Sequence, residues 1–163
     1  MNKDGVMEVN MESATANSVD IYWNRSAGGI TEDNSAIIAT FIYMQGGNYE
    51  TEKYVYNPFG EILNSGFSSS SDGVPGSTNY ISKTNITIPN NTKMLRIRPL
   101  YNKASIKVMP VGGNLPVQGY SSRCAGTLGN LKRVVEVAQT NPQLPPIFDY
   151  AVFNNDDTGL SHL

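Results

Sequence analysis

The chain has 163 residues, 39% of them hydrophobic, enough for one domain that buries about two-thirds of its unfolded surface. Only 16% are charged, against about 25% in an average soluble protein, while 15 Gly and 9 Pro punctuate a sequence rich in Ser, Thr and Asn. Twelve basic and fourteen acidic residues give a net charge of −2 with no run of either sign, which argues against nucleic acid or an anionic lipid surface as partner; one Cys and one His exclude an intrachain disulfide and a thiolate or imidazole metal cluster.

Segment 1–17 is polar where a signal peptide carries its apolar stretch, and no window reaches the roughly 18 apolar residues of a membrane helix. As written, the chain reads as soluble and without an export signal. Met7, Val9 and Met11 alternate with Glu8, Asn10 and Glu12, and Val19, Ile21 and Trp23 alternate with Asp20, Tyr22 and Asn24, the period of two short strands. Trp23, on the apolar side, reads as a core residue.

A polar loop at 25–34 precedes the most apolar run, 36–44, which has the length of a central strand buried on both faces. Gln45-Gly46-Gly47-Asn48 reads as a hairpin turn, since glycine tolerates the positive φ that such turns need. The return strand, 49–56, sets Glu50, Glu52, Tyr54 and Tyr56 on one side and Tyr49, Thr51, Lys53 and Val55 on the other, one side wetter. Asn57-Pro58-Phe59-Gly60 is a turn with Pro second and Gly fourth. Segment 61–78, rich in Ser and Gly, reads as a long surface loop and a mobile linker.

Strands resume over 80–88 and, after Pro89-Asn90-Asn91, over 93–100, where Leu95 and Ile97 oppose Arg96 and Arg98 and Pro99 marks an edge or a bulge. Another runs over 104–111. Segment 117–137 states a whole hairpin: Leu131, Arg133, Val135 and Val137 alternate with Lys132, Val134, Glu136 and Ala138 behind a Gly129-Asn130 turn. Cys124 reads there as a small, buried or half-buried hydrophobe. The prolines of 141–146 break the ladder before a last strand at 147–153.

The expectation is an all-β fold, an antiparallel β-sandwich of about ten short strands, in one domain over 1–163 with flexible ends at 1–5 and 155–163 and the long loop at 61–78. Asp72-Gly73 and the acid and amide residues of 154–159 lack the spacing of a Ca²⁺ loop. His162, near the end of the chain, offers no base for Cys124 or a serine, and no glycine-rich phosphate cradle opens a helix. No catalytic, cofactor-binding or metal-binding residue is therefore expected, and the chain reads as non-enzymatic. Three Asn-X-Ser/Thr triplets begin at Asn24, Asn85 and Asn90. Tyr43, Tyr49, Tyr54 and Tyr56 gather on one hairpin, and Tyr49, Tyr54 and Tyr56 are the candidate interaction surface. Cross-strand pairing is the structural alternative.

Taken in order, Leu95-Arg96-Ile97-Arg98-Pro99-Leu100-Tyr101-Asn102, Leu115-Pro116-Val117-Gln118-Gly119-Tyr120, Arg133-Val134-Val135-Glu136-Val137 and the string at 144–153 resemble the C-terminal half of PilX-like pilus assembly proteins, minor pilin-like proteins of type IV pili. Segment 36–57 resembles their middle. The resemblance implies a structural head domain that meets other pilin subunits or assembly proteins at the cell surface, anchored before assembly in the inner membrane by an N-terminal helix that this chain lacks. It implies no catalytic residue and no cofactor. The second reading is a carbohydrate-binding or adhesive β-sandwich, with Tyr49, Tyr54 and Tyr56 in a solvent-exposed row against surface glycans.

Overall fold

The computed structural model describes residues 5–24, 35–73, 80–128 and 131–140. The expected features at 25–34 and 74–79, the Gly129-Asn130 turn, the last strand at 147–153, the acidic tail and His162 lie outside the described residues. Ten strands and no helix make up the regular structure described: β1 (Met7–Asn10), β2 (Ser18–Trp23), β3 (Ala36–Gln45), β4 (Asn48–Tyr56), β5 (Ser71–Asp72), β6 (Ser82–Thr87), β7 (Thr92–Leu100), β8 (Ile106–Val111), β9 (Gly119–Leu128) and β10 (Leu131–Thr140). All pair antiparallel. The all-β expectation holds.

One four-stranded sheet runs β1-β7-β3-β4, another β5-β6-β2-β8, and among the described strands β9 pairs with β10 alone. The alternation read in the sequence decides which side of each sheet is dry. Val9, Leu95, Ile97, Ile37, Ala39 and Phe41 from the first sheet join Val19, Ile21, Trp23 and Ile86 from the second in one buried cluster. Burying a side chain of this size contributes about 1.5–3 kcal/mol, so this shared core is the main source of stability.

Several local expectations change. In β3 only Ala36, Ile37, Ala39 and Phe41 are buried, while Ile38, Thr40 and Ile42 are half-buried, because the core lies on one side of the sheet. The β3–β4 turn forms as expected, with Gly46 and Gly47 at φ 60° and 88°. In β4, however, residues 48–53 are exposed on both sides. The following turn is shifted by one residue: Glu61 N–H donates to the Pro58 carbonyl at 3.2 Å, which puts Gly60, at φ 77°, in the third position, where a type II turn requires positive φ.

The long loop is built rather than loose over 61–73. Asn57, 2% exposed, lies at its centre: Nδ2 donates to the carbonyls of Asn64 (2.9 Å) and Phe67 (3.4 Å), and Oδ1 accepts from the N–H groups of Leu63 (3.0 Å) and Asn64 (3.2 Å). The Asn57 N–H donates to Ser68 O and the Ser68 N–H to Val55 O, each at 2.9 Å. β5 then pairs with β6.

In β7, Pro99 is buried and stands opposite Ile37 of β3. The β1 pairing ends at Met7 opposite Ile97, so β7 is an edge only locally there. Arg96 is not on a wet face. Its Nη1 lies 3.2 Å from Glu8 Oε1, and each side chain is only 5% exposed.

Candidate interaction surface

Four places gather polar or aromatic side chains at the surface: the tyrosine hairpin, the outer face of β2 and β6, a cleft between the segments before β2 and after β6, and the β9–β10 ribbon. Tyr54 and Tyr56 stand opposite Ala39 and Ile37 of β3 and pack against the core; the Tyr54 ring meets Phe41 edge-on with centroids 6.1 Å apart. Tyr49 lies on the opposite side of β4 and is 69% exposed. The three therefore form no single exposed row, because position parity on a strand separates 49 from 54 and 56. Cross-strand aromatic packing accounts for Tyr54.

The Tyr54 hydroxyl donates to Glu52 Oε1 at 2.7 Å, two positions away on the same side of the strand. That hydrogen bond, with burial second, pushes the hydroxyl pKa from 10.0 up to about 12. A phenol whose folded pKa is raised contributes stability that is fully present below the unfolded value of 10.0 and lost as pH rises through about 12. In an ultraviolet titration of the folded chain, one tyrosine is expected to ionise at about 12, and Glu52→Gln to bring it back toward 10. An unchanged titration in Glu52→Gln would refute this assignment.

On the outer face of the second sheet, Asp20 accepts from Lys83 Nζ (2.9 Å), Asn85 Nδ2 (2.8 Å) and the Tyr22 hydroxyl (3.3 Å). Partial burial works against the Asp20 carboxylate, but the bonds from Asn85 and Lys83, the Lys83 charge and the Tyr22 hydroxyl together outweigh it, and the pKa is lowered from 3.8. Lys83, held chiefly by its bond to Asp20, is shifted upward. The network is a satisfied surface cluster in which Asp20 and Lys83 favour each other's charged form.

Near the other end, Met11, residues 13–17 and residues 87–93 line an open cleft. Its one charged side chain, Lys93, is bonded to Glu12 at 3.0 Å. No group of three or more His, Cys, Asp or Glu suited to a metal occurs among the described residues.

The β9–β10 ribbon is different in kind. Gln118 ties its root to the first sheet: Nε2 donates to the Asn10 carbonyl (2.9 Å) and Oε1 accepts the Asn10 N–H (2.7 Å), as a neighbouring strand would. The preceding bend passes close under residues 15–16, where a Cβ on Gly113 would lie 2.3 Å from the Thr15 carbonyl oxygen. Beyond Gln118, residues 120–127 and 133–139 are exposed. The register sets Cys124 opposite Val135, Ser122 opposite Val137 and Tyr120 opposite Gln139 on one face. Val135 and Val137 are about 60% exposed and Tyr120 73%. Alternation expected this face to be the drier one, yet Val135 and Val137 are more exposed than Val134 on the other face, at 43%. Cys124, expected to be buried or half-buried, is exposed because nothing described lies over it.

Compared with family models, with curated proteins and with solved structures, the chain matches none.

Proposed function

We propose that this chain is a non-enzymatic structural head domain that works by contact with other proteins, as a minor pilin-like component of type IV pilus assembly at the cell surface. In this reading the two four-stranded sheets are the layers of a β-sandwich that serves as a stiff body, and the β9–β10 ribbon is the part offered to other subunits. The observation that carries the proposal is that ribbon. A two-stranded hairpin with both faces in water is marginal by itself, and exposed apolar side chains gathered on one face mark interaction sites. The strings that resemble PilX-like proteins, 115–120 and 133–137, enter or lie within the ribbon, which supports the same assignment.

The test is a photoreactive amino acid at position 135 in the cells that make the protein, with one at the exposed position 107 as control. The expected result is discrete products at 135 whose second chain is a pilin-like subunit. Products at 135 no different from those at 107 would overturn the reading. Tyr49 lies on the other face of β4 from Tyr54 and Tyr56, which takes support from the glycan-binding alternative.

A further inference from the structure

We infer that the outer edge of β10 pairs with the same edge of a second copy of this chain, antiparallel and centred on Val134. The inference rests on reading the ribbon as a contact element, and it names one occupant. Among the described strands β10 has a neighbour on one side only. Edge pairing would turn two thin ribbons into a four-stranded sheet, β9-β10-β10-β9, which passes the three strands that independent stability asks for.

Symmetry and charge then select the register. A twofold axis normal to a sheet keeps each side chain on its own face, so a residue can stand opposite only residues of the same parity in the other copy. β10 carries three charges, Lys132, Arg133 and Glu136. With Val134 opposite Val134 of the second copy, Lys132 stands opposite Glu136 of that copy and Glu136 opposite its Lys132. Two opposite-charge pairs result, while Arg133 meets Val135. Centring on Lys132, Arg133 or Glu136 sets a like charge against itself, which destabilises an antiparallel pair. Centring on Val135 leaves no charge pair.

The other described edges do not offer this. On β4, Lys53 differs in parity from Glu50 and Glu52. β8 carries Lys107 alone, together with Pro110, and β9 carries Arg123 alone. On β1, Glu8 is engaged by Arg96, and β5 has two residues. In the four-stranded sheet the two copies of Cys124 lie on outer strands, about 16 Å apart across three strand spacings and two residues along them, so no disulfide is involved.

The experiment is sedimentation equilibrium of the purified full chain in reducing buffer up to about 1 mM, the range that a small edge contact requires. Wild type is expected to dimerise reversibly. K132E, and R123E/E136K, which keeps an opposite-charge pair across the ribbon, are each expected to weaken the dimer about tenfold or more, since both symmetric pairs turn repulsive. An equimolar mixture of the two variants should dimerise again, because both pairs are then of opposite sign. Emission from Trp23, the only tryptophan, reports that each variant is folded.

A monomeric wild type, indifference to the charge changes, or a dimer abolished by reductant would overturn the inference. A monomer that still crosslinks to a pilin-like subunit through position 135 sinks the dimer and leaves the proposed function standing. A dimer that obeys the charge exchange without any such crosslink does the reverse.

Discussion

Replacing Glu8 with alanine is expected to lower the stability of the chain by about 3–5 kcal/mol, the order of effect of removing one member of a buried ion pair. The guanidinium of Arg96 is 3.2 Å from Glu8 Oε1 and both side chains are 5% exposed, so water cannot readily replace the carboxylate. The two residues are cross-strand partners in the β1–β7 ladder, on the face opposite Val9 and Leu95, which makes them a link between the first strand and the centre of its sheet. A second variant sharpens the expectation. Glu8→Leu with Arg96→Met removes both charges, and exchanging a whole buried pair for apolar residues is often close to neutral. Denaturant titration should therefore show the double variant more stable than Glu8→Ala. If Glu8→Ala unfolds within about 1 kcal/mol of wild type, the pair is not a structural link.

Asn57→Ala is expected to cost about 2–4 kcal/mol, because two carbonyls and two N–H groups lose their partner at once and an unmet buried polar group costs about 1–3 kcal/mol. Part of that is recovered where the loop opens to water. Asn57→Asp should be no milder, since a carboxylate oxygen would face the carbonyls of Asn64 and Phe67 where an N–H₂ now donates. The readout is amide hydrogen exchange: Leu63 and Asn64, which donate to Asn57 Oδ1, should exchange much faster, while the β3–β7 ladder stays protected. Equal protection of Leu63 and Asn64 in wild type and Asn57→Ala would show that the loop holds itself.

These two sites also mark where the sequence stops being readable. Alternation at Val19, Ile21 and Trp23 names a dry face without help from anything distant, and Gly46-Gly47 names its own turn, because both signals depend on neighbours along the chain. Arg96 shows the limit. Its parity places it opposite Leu95 and Ile97, but whether that second face meets water depends on a cross-strand carboxylate far away in sequence. Asn57 carries no signal beyond a turn, since its four bonds go to backbone groups six to ten residues on, and any residue type supplies those. Serine and glycine content names 61–78 as a long loop and says nothing of the bonds by which Asn57 ties its first part. For the ribbon, period two named a drier face around Val135 and Val137, but residues 133–139 are exposed on both faces, because alternation says nothing of what lies against a face. Within the candidate surface, the tyrosines were visible as a cluster, and parity already separated Tyr49 from Tyr54 and Tyr56.

The strand order has one more consequence, for how the polypeptide is made. Met7 finds its partner in Ile97 and Ser18 finds one in Val111, so the earliest strands stay open while most of the chain is still being synthesised. Pairings so distant delay the search for the native state to the millisecond-to-second range, and unpaired Val9, Val19 and Ile21 are sticky during that interval. A protein organised this way is sensitive to how quickly its C-terminal half follows, and a nascent chain stalled before residue 82 would display its first two strands without their partners.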